Sequence, residues 1–363
     1  MKEMISYGHQ YIDDDDIQAV TESLLGLSLT GGKIIDNFEK DLCNYTGFKY
    51  GIVVNSGTAA LHAALHAVGI KQGDEVIIPS MTFVATANVV RYMGAIPVFC
   101  DVNESLLINM TTLENMITKK TKAIISVDYG GQLVDYNQLR RICDKYNLFF
   151  ISDSCHALGA IKKDSILSRP DIICYSFHPV KNITTGEGGA FLTNTSWIHE
   201  KGKAFRNHGR YEKYDNLQFD LGYNYRMPEI NAALGISQLK KLDKFIERRK
   251  KIANGYINAF KNMNITLKQI NENVWHLFVL KVKNRFSFIE HMKSKNINCT
   301  IHYPPVYDHP YYKQQGYSIN CPYTAMIKNK IVSIPIYYSL PNNSIAEIIA
   351  IITDYMYKNE KEL

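Results

Sequence analysis

The stretch Gly51-Ile-Val-Val-Asn-Ser-Gly-Thr-Ala-Ala-Leu-His-Ala-Ala-Leu-His-Ala-Val68 joins a β-branched run to an Ala- and Leu-rich helix through the turn Asn55-Ser-Gly-Thr58. Outward from it the same alternation recurs. Strands are expected at 51–54, 75–79, 96–100, 123–127, 148–152, 172–177 and 190–193, with helices at 58–68, 84–93, 113–117 and 136–146. Strands separated by helical crossovers form a mainly parallel sheet covered on both faces. The chain therefore reads as α/β, a seven-stranded, mainly parallel sheet sandwiched by helices.

After Pro228 the texture changes. One long helix or two span 230–260, followed by a strand at 274–282, a helix at 286–295, a strand at 299–302 and a last helix at 344–357. That is a smaller α+β unit. The division expected is a large domain over 1–245 and a small C-terminal domain over 246–363.

Composition narrows the function. The 363 residues carry 41 basic and 35 acidic side chains, a formal charge of +6, with 46% hydrophobic and 21% charged residues. Collagen, coiled coil and wholesale disorder are excluded. No basic stripe interleaved with aromatics argues for nucleic acid. Seven scattered cysteines without a C-x-x-C pair read as reduced thiols, and Met1-Lys-Glu-Met-Ile-Ser-Tyr7 lacks the apolar core of a signal peptide. No run of apolar residues is long enough to span a membrane, so a cytoplasmic protein is expected. Asp13-Asp-Asp-Asp16 precedes helical spacing and reads as a first-turn acidic cluster; no metal is expected.

Ligand sites of open parallel sheets lie beyond the carboxyl ends of the strands. Three groups fall there. Asn55-Ser-Gly-Thr58 opens a helix, where free amides and hydroxyls suit an anion, although plain capping by Ser56 or Thr58 reads equally well. Asp153 ends a buried strand, three residues before His156; a helix cap is its bland alternative. Lys181 lies in Tyr175-Ser-Phe-His-Pro-Val-Lys-Asn-Ile-Thr-Thr-Gly-Glu-Gly-Gly189, among hydroxyls and apolar neighbours that would lower its pKa. The order anion turn, Phe83, Asp153, Ser176, Lys181 suits pyridoxal 5'-phosphate. Its phosphate needs a helix N-terminus, its ring an aromatic cover, its pyridine nitrogen a carboxylate and its aldehyde an amine.

The sequence also resembles a known family, the fold-type I DegT/DnrJ/StrS sugar-nucleotide aminotransferases. The matching phrases are Leu29-Thr-Gly-Gly32, Asn55-Ser-Gly-Thr-Ala-Ala-Leu61, Pro79-Ser-Met-Thr-Phe-Val-Ala-Thr-Ala-Asn88, Ser152-Asp-Ser-Cys-His-Ala-Leu-Gly159 and Tyr175 to Gly189. Phe205-Arg-Asn-His-Gly209, Gly222-Tyr-Asn-Tyr-Arg-Met-Pro-Glu-Ile-Asn-Ala-Ala-Leu-Gly235 and His302-Tyr-Pro-Pro-Val-Tyr307 continue them in order. The resemblance implies that Lys181 is the catalytic amine and proton shuttle, Asp153 the partner of the ring nitrogen, and Phe83 the stacking ring. It places His156 near the phenolic oxygen and Gly57, Thr58 and Ser176 on the phosphate, with Asn224 reaching across from the second subunit of a homodimer. Arg226 is a candidate for the donor carboxylate, and Thr30, His302 and Tyr303 for further substrate contacts. Tyr303, Tyr307, Tyr311 and Tyr312 read either as a sugar or uracil cradle or as local core. One branch of the family has histidine at the lysine position and dehydrates; Lys181 favours amino transfer. Phe83-Val-Ala-Thr-Ala-Asn88, Ser126-Val-Asp-Tyr-Gly130 and Lys181-Asn-Ile-Thr-Thr185 are similar to the branch of the pseudaminic-acid pathway. The implied reaction moves an amino group from L-glutamate to C4 of a UDP-linked 4-keto-6-deoxy-N-acetylhexose for a surface glycan. The alternatives are a GDP-perosamine-type synthase, a C3 aminotransferase, or an inactive scaffold on the same fold.

Overall fold

β-Branched and aromatic side chains pack well on a pleated surface, and their alternation decides which face each strand residue meets. The computed structural model describes all residues except 1–3, 166, 167, 212, 213, 216, 270, 271 and 360–363, so the first three residues of the N-terminal stretch read above lie outside it. Seven strands form one sheet: β1 (Tyr50–Val54), β2 (Glu75–Pro79), β3 (Ile96–Cys100), β4 (Thr121–Val127), β5 (Phe149–Asp153), β6 (Ile172–Ser176) and β7 (Gly189–Thr193). Their order is β1-β7-β6-β5-β4-β2-β3. Six run in one direction; β7 alone is antiparallel to both its neighbours, β1 and β6.

The two faces bury alternate residues of the same strands. Val53, Ile77, Ile124, Phe150, Ile173 and Leu192 join one core, and Ile52, Val76, Ile78, Ile125, Ile151 and Phe191 the other. Helices α1 (Asp14–Leu24), α2 (Lys33–Thr46), α3 (Gly57–Ala67), α4 (Ala85–Tyr92), the short α5 (Met110–Leu113), α6 (Tyr136–Tyr146) and α7 (Ser196–Arg206) belong to this part. The acidic run opens α1 as a helix cap. Asp13 accepts from the Asp16 amide, the Asp16 carboxylate from the Asp13 amide, and Lys241 pairs with both.

A small hairpin of β8 (Arg210–Tyr211) and β9 (Leu217–Gln218) precedes two helices, α8 (Glu229–Leu239) and α9 (Leu242–Phe260), which resolves the expectation of one helix or two. Residue 245 lies inside α9. Phe245 and Ile246 pack in the core of the large sheet, whereas Ile252, Tyr256 and Phe260 pack in a third core with the C-terminal elements. Those elements are β10 (Phe278–Lys281), α10 (Arg285–Ser294), α11 (Pro310–Lys313), α12 (Pro322–Ile327), β11 (Ile331–Ile334) and α13 (Asn342–Asn359).

Two expected strands are corrected. The segment 299–302 makes a single bridge, Thr300 to Ser333, because Pro304 and Pro305 follow and offer no amide to extend a ladder. The strand expected at 274–282 is confined to 278–281, because Val274 and Leu277 donate instead to the carbonyls of Gly131 and Gly130. Among the described residues no helix is long and apolar enough to cross a membrane.

Candidate active site

The carboxyl ends of β1, β4, β5 and β6 share one edge of the sheet with the start of β7. At the end of β1, Ser56 accepts a hydrogen bond from the Ala59 amide at 3.1 Å and caps α3, whose first-turn amides have no partners inside the helix. Gly57 and Gly189 make this turn possible by lacking side chains. A Cβ on Gly189 would lie 2.4 Å from the Ser56 carbonyl oxygen, and one on Gly57 would lie 2.8 Å from Ser176 Cβ and 3.2 Å from Cys155 Sγ. A helix N-terminus, a hydroxyl and a cleared space thus meet at one point, which fits an anion.

Asp153 ends β5 and is buried. Its Oδ2 accepts from Thr86 Oγ1 at 2.8 Å, its Oδ1 from the Cys155 amide at 3.3 Å, and Thr86 is itself bonded to Thr82 at 2.9 Å. Lys181 lies in the loop between β6 and β7, which is closed by Phe177 N–H donating to Gly188 O and Thr184 Oγ1 donating to Phe177 O. Burial lowers the pKa of the Lys181 ammonium, opposed by the nearby Cys155 and Asp153. Lys181 as a residue is half-buried, and its amine end lies deeper than its stem.

His156 forms the next wall. A backbone amide can only donate, so the Gly130 N–H at 3.2 Å makes Nδ1 the acceptor and leaves the proton on Nε2, which lies 3.0 Å from the Tyr303 hydroxyl. Burial, then Lys181 and His302, hold the His156 pKa well below the ordinary value, so the ring is neutral. Phe83 is 53% exposed, and its ring lies 5.6 Å from that of Tyr303. Tyr129 donates to the His302 carbonyl, and the His302 ring bonds Ser333 Oγ at 2.9 Å through Nδ1.

A turn for an anion, a carboxylate, an exposed aromatic and an amine of lowered pKa therefore share one edge. A family model described as the DegT/DnrJ/EryC1/StrS aminotransferase family matches residues 10–353. This chain belongs to that family. It is 39% identical over 326 residues to a UDP-4-amino-4,6-dideoxy-N-acetyl-beta-L-altrosamine transaminase of Campylobacter jejuni, covering 86% of each protein. Among solved structures it is similar to Helicobacter pylori PseC, an aminotransferase involved in the biosynthesis of pseudoaminic acid. The TM-score is 0.92 at 33% identity, over 98% of this chain and 100% of the other. A sugar aminotransferase candidate from Streptococcus pneumoniae, solved in its PLP form, has a TM-score of 0.91 at 28% identity, over 98% of this chain and 99% of that one.

In this DegT/DnrJ/EryC1/StrS chain the remaining expected residues lie on a neighbouring surface. Thr30 bridges to Pro228 and is exposed; Asn224, also exposed, bridges to Asn207. Arg226 bridges to Val54 through its backbone and donates from its guanidinium to Asn207 Oδ1 at 2.6 Å. Three backbone amides of the 32–35 turn converge on the buried Glu229 carboxylate, which fixes the segment following Thr30. Of the tyrosines, Tyr303 faces the site, whereas Tyr307 and Tyr312 pack edge-on against Phe99 as core. Sequence reading did not single out Thr86, Tyr129, Gly130 or His276 as site residues. Thr86 could have been found, since it sits one helical turn beyond Thr82 in the 79–88 phrase. His276 gave no such signal.

Proposed function

We propose that this protein is a pyridoxal-phosphate-dependent aminotransferase that moves an amino group from L-glutamate to C4 of a UDP-linked 4-keto-6-deoxy-N-acetyl sugar. The carrying observation is Lys181, an amine whose pKa burial lowers and which is placed beside Asp153. The cofactor fits because the space a Gly57 Cβ would fill lies between the α3 N-terminus and Ser176. The sugar and its position follow the altrosamine transaminase, which this chain resembles over most of its length.

Gly57, Thr58 and Ser176 would hold the phosphate, with the partner subunit's Asn224 reaching the same group in a homodimer. Asp153 would keep a proton on the ring nitrogen, Phe83 would cover the ring, and His156 would donate toward the phenolic oxygen. When bound, the cofactor supplies an aldehyde and an electron-withdrawing ring. Lys181 Nζ would take the proton from the donor's α-carbon and deliver it to the cofactor's aldehyde carbon, ending the half-reaction with the same amine it began with; a lowered pKa suits that shuttle. Arg226 would take the donor carboxylate, and Thr30, His302 and Tyr303 the sugar substrate. With no metal invoked, the reaction belongs in the cytoplasm, where glutamate and sugar nucleotides are present together.

The test uses the yellow holoprotein. L-Glutamate should bleach its visible absorbance, and adding a 4-keto sugar nucleotide should restore it with amine at C4; borohydride should attach the cofactor to Lys181 alone. A panel of UDP-, GDP- and dTDP-linked 4-keto and 3-keto sugars separates this reading from its perosamine-type and C3 rivals. No spectral response to glutamate overturns it in favour of an inactive scaffold.

A further inference from the structure

His276 is fully enclosed, yet it lies outside every residue set considered so far. Its ring centroid is 4.4 Å from that of His156, at an interplanar angle of 41°. Its Nδ1 is buried without a hydrogen-bond partner in the structure. Leaving such an atom unsatisfied is unfavourable, so its place is not explained by its own bonding.

The backbone around it is bent to reach that place. Trp275 has a φ of +57°, a left-handed conformation rare for a bulky side chain, and its amide is held by Asn273 Oδ1 at 2.7 Å. On either side of His276, Val274 and Leu277 donate to the carbonyls of Gly131 and Gly130. Gly130 is the residue whose amide donates to His156 Nδ1. Gly131, at a φ of +98°, is pressed so closely that a Cβ would lie 3.0 Å from the His276 amide nitrogen and 3.1 Å from the His156 carbonyl oxygen. Beneath the turn the buried Arg249 guanidinium donates to the carbonyls of Trp275, His276 and Ile336. Both histidines are thus locked onto one glycine pair from opposite sides.

We propose that His276 is a positioning residue: its ring fixes the plane and the tautomer of His156. The inference rests on the proposed function for its catalytic meaning, since it is there that His156 Nε2–H meets the cofactor. Tilted at 41° against the imidazole with centroids 4.4 Å apart, His276 excludes water and leaves Nδ1 only the Gly130 amide, so the proton stays on Nε2. The groups facing the pair from every packed element are Lys181, His302, Arg249, Tyr129 and Tyr303. Lys181 opposes a charge on either imidazole and Arg249 one on His276, and burial does so more strongly.

The test labels the full-length protein with 15N-histidine and follows ring nitrogen shifts against pH, with and without pyridoxal phosphate; His156→Gln identifies the signal. In the parent protein His156 should show a pH-independent Nε2–H pattern. His276→Ala should admit water to the ring, make the His156 nitrogen shifts pH-dependent and slow the glutamate half-reaction about tenfold. His276→Phe, which retains a ring, should restore the untitrated pattern and a rate within about twofold of the parent. If His276→Ala folds and His156 keeps its tautomer, or if both variants lose stability alike and neither moves the signal, the proposal is overturned. A parent protein indifferent to glutamate would sink the aminotransferase reading, while the nitrogen shifts would still decide whether His276 governs His156.

Discussion

Asp128 and Asp153 follow neighbouring parallel strands, are both buried, and are tied together by the Asp128 amide donating to the Asp153 carbonyl at 3.1 Å. Their surroundings differ. Asp128 accepts from the Val134 amide and from the hydroxyls of Tyr136, Ser152 and Ser154, which together fill the acceptor capacity of a carboxylate. Asp153 accepts from Thr86 and, at longer range, from the Cys155 amide, so half its capacity remains for something in the cleft. A carboxylate answered wholly by its own chain is structural, and one left half-answered is available to a ligand. Burial alone does not tell them apart.

Variants can break this contrast. The largest effect is expected for Asp153→Asn, which should slow the glutamate half-reaction about 10³-fold in stopped-flow absorbance with little change in unfolding midpoint. Asp128→Ala should do the reverse. It removes the acceptor shared by three hydroxyls and an amide, so denaturant unfolding should show a loss of about 3 kcal/mol, with the half-reaction slowed less than about tenfold. If the two swap phenotypes, the distinction is wrong. Thr86→Val removes one of the two donors to Asp153 and should cost about tenfold in rate, sharpening the measure of how far that carboxylate depends on its support.

The smallest effect is one of pH. Burial pushes the Asp128 carboxyl up to about 6, only partly offset by its hydrogen bonds. The folded state then holds this proton where the unfolded chain has released it, so the stabilisation is complete below about pH 4 and disappears as pH rises through about 6. Relative to Asp128→Asn, the parent protein should be about 1 kcal/mol more stable at pH 5 than at pH 7, read from urea midpoints. No difference in pH slope would mean that Asp128 stays ionised.

Much of this was legible beforehand. All seven strands of the large sheet were expected, because each is a β-branched or aromatic run bounded by turn residues and helical spacing. Gly57, Asp153, Ser176 and Lys181 could be grouped because strand ends bring such residues together whatever the side-chain detail. The reversal of β7 could not be read, since a run such as Ala190-Phe-Leu-Thr193 looks the same in either direction. Nor could Asp128 be told from Asp153. Each is an acid at the end of an apolar strand, and what separates them is Tyr136 on α6, Ser152 on β5 and Ser154 just beyond it, which meet Asp128 only in three dimensions. His276 is the extreme case: it reaches His156 through a left-handed turn at a tryptophan, which no local preference announces.

The lone reversed strand has a mechanical consequence. A further parallel strand after β6 would have required a crossover carrying the chain to the far side of the sheet before returning. Because β7 runs backwards, residues 177–188 leave and re-enter at the same rim, anchored by Ser176 opposite Gly189. Lys181 is therefore on a short leash clamped at both ends. In the role proposed for it, an amine so tethered would leave a partner and recapture it at high effective concentration, without any part of the sheet having to move.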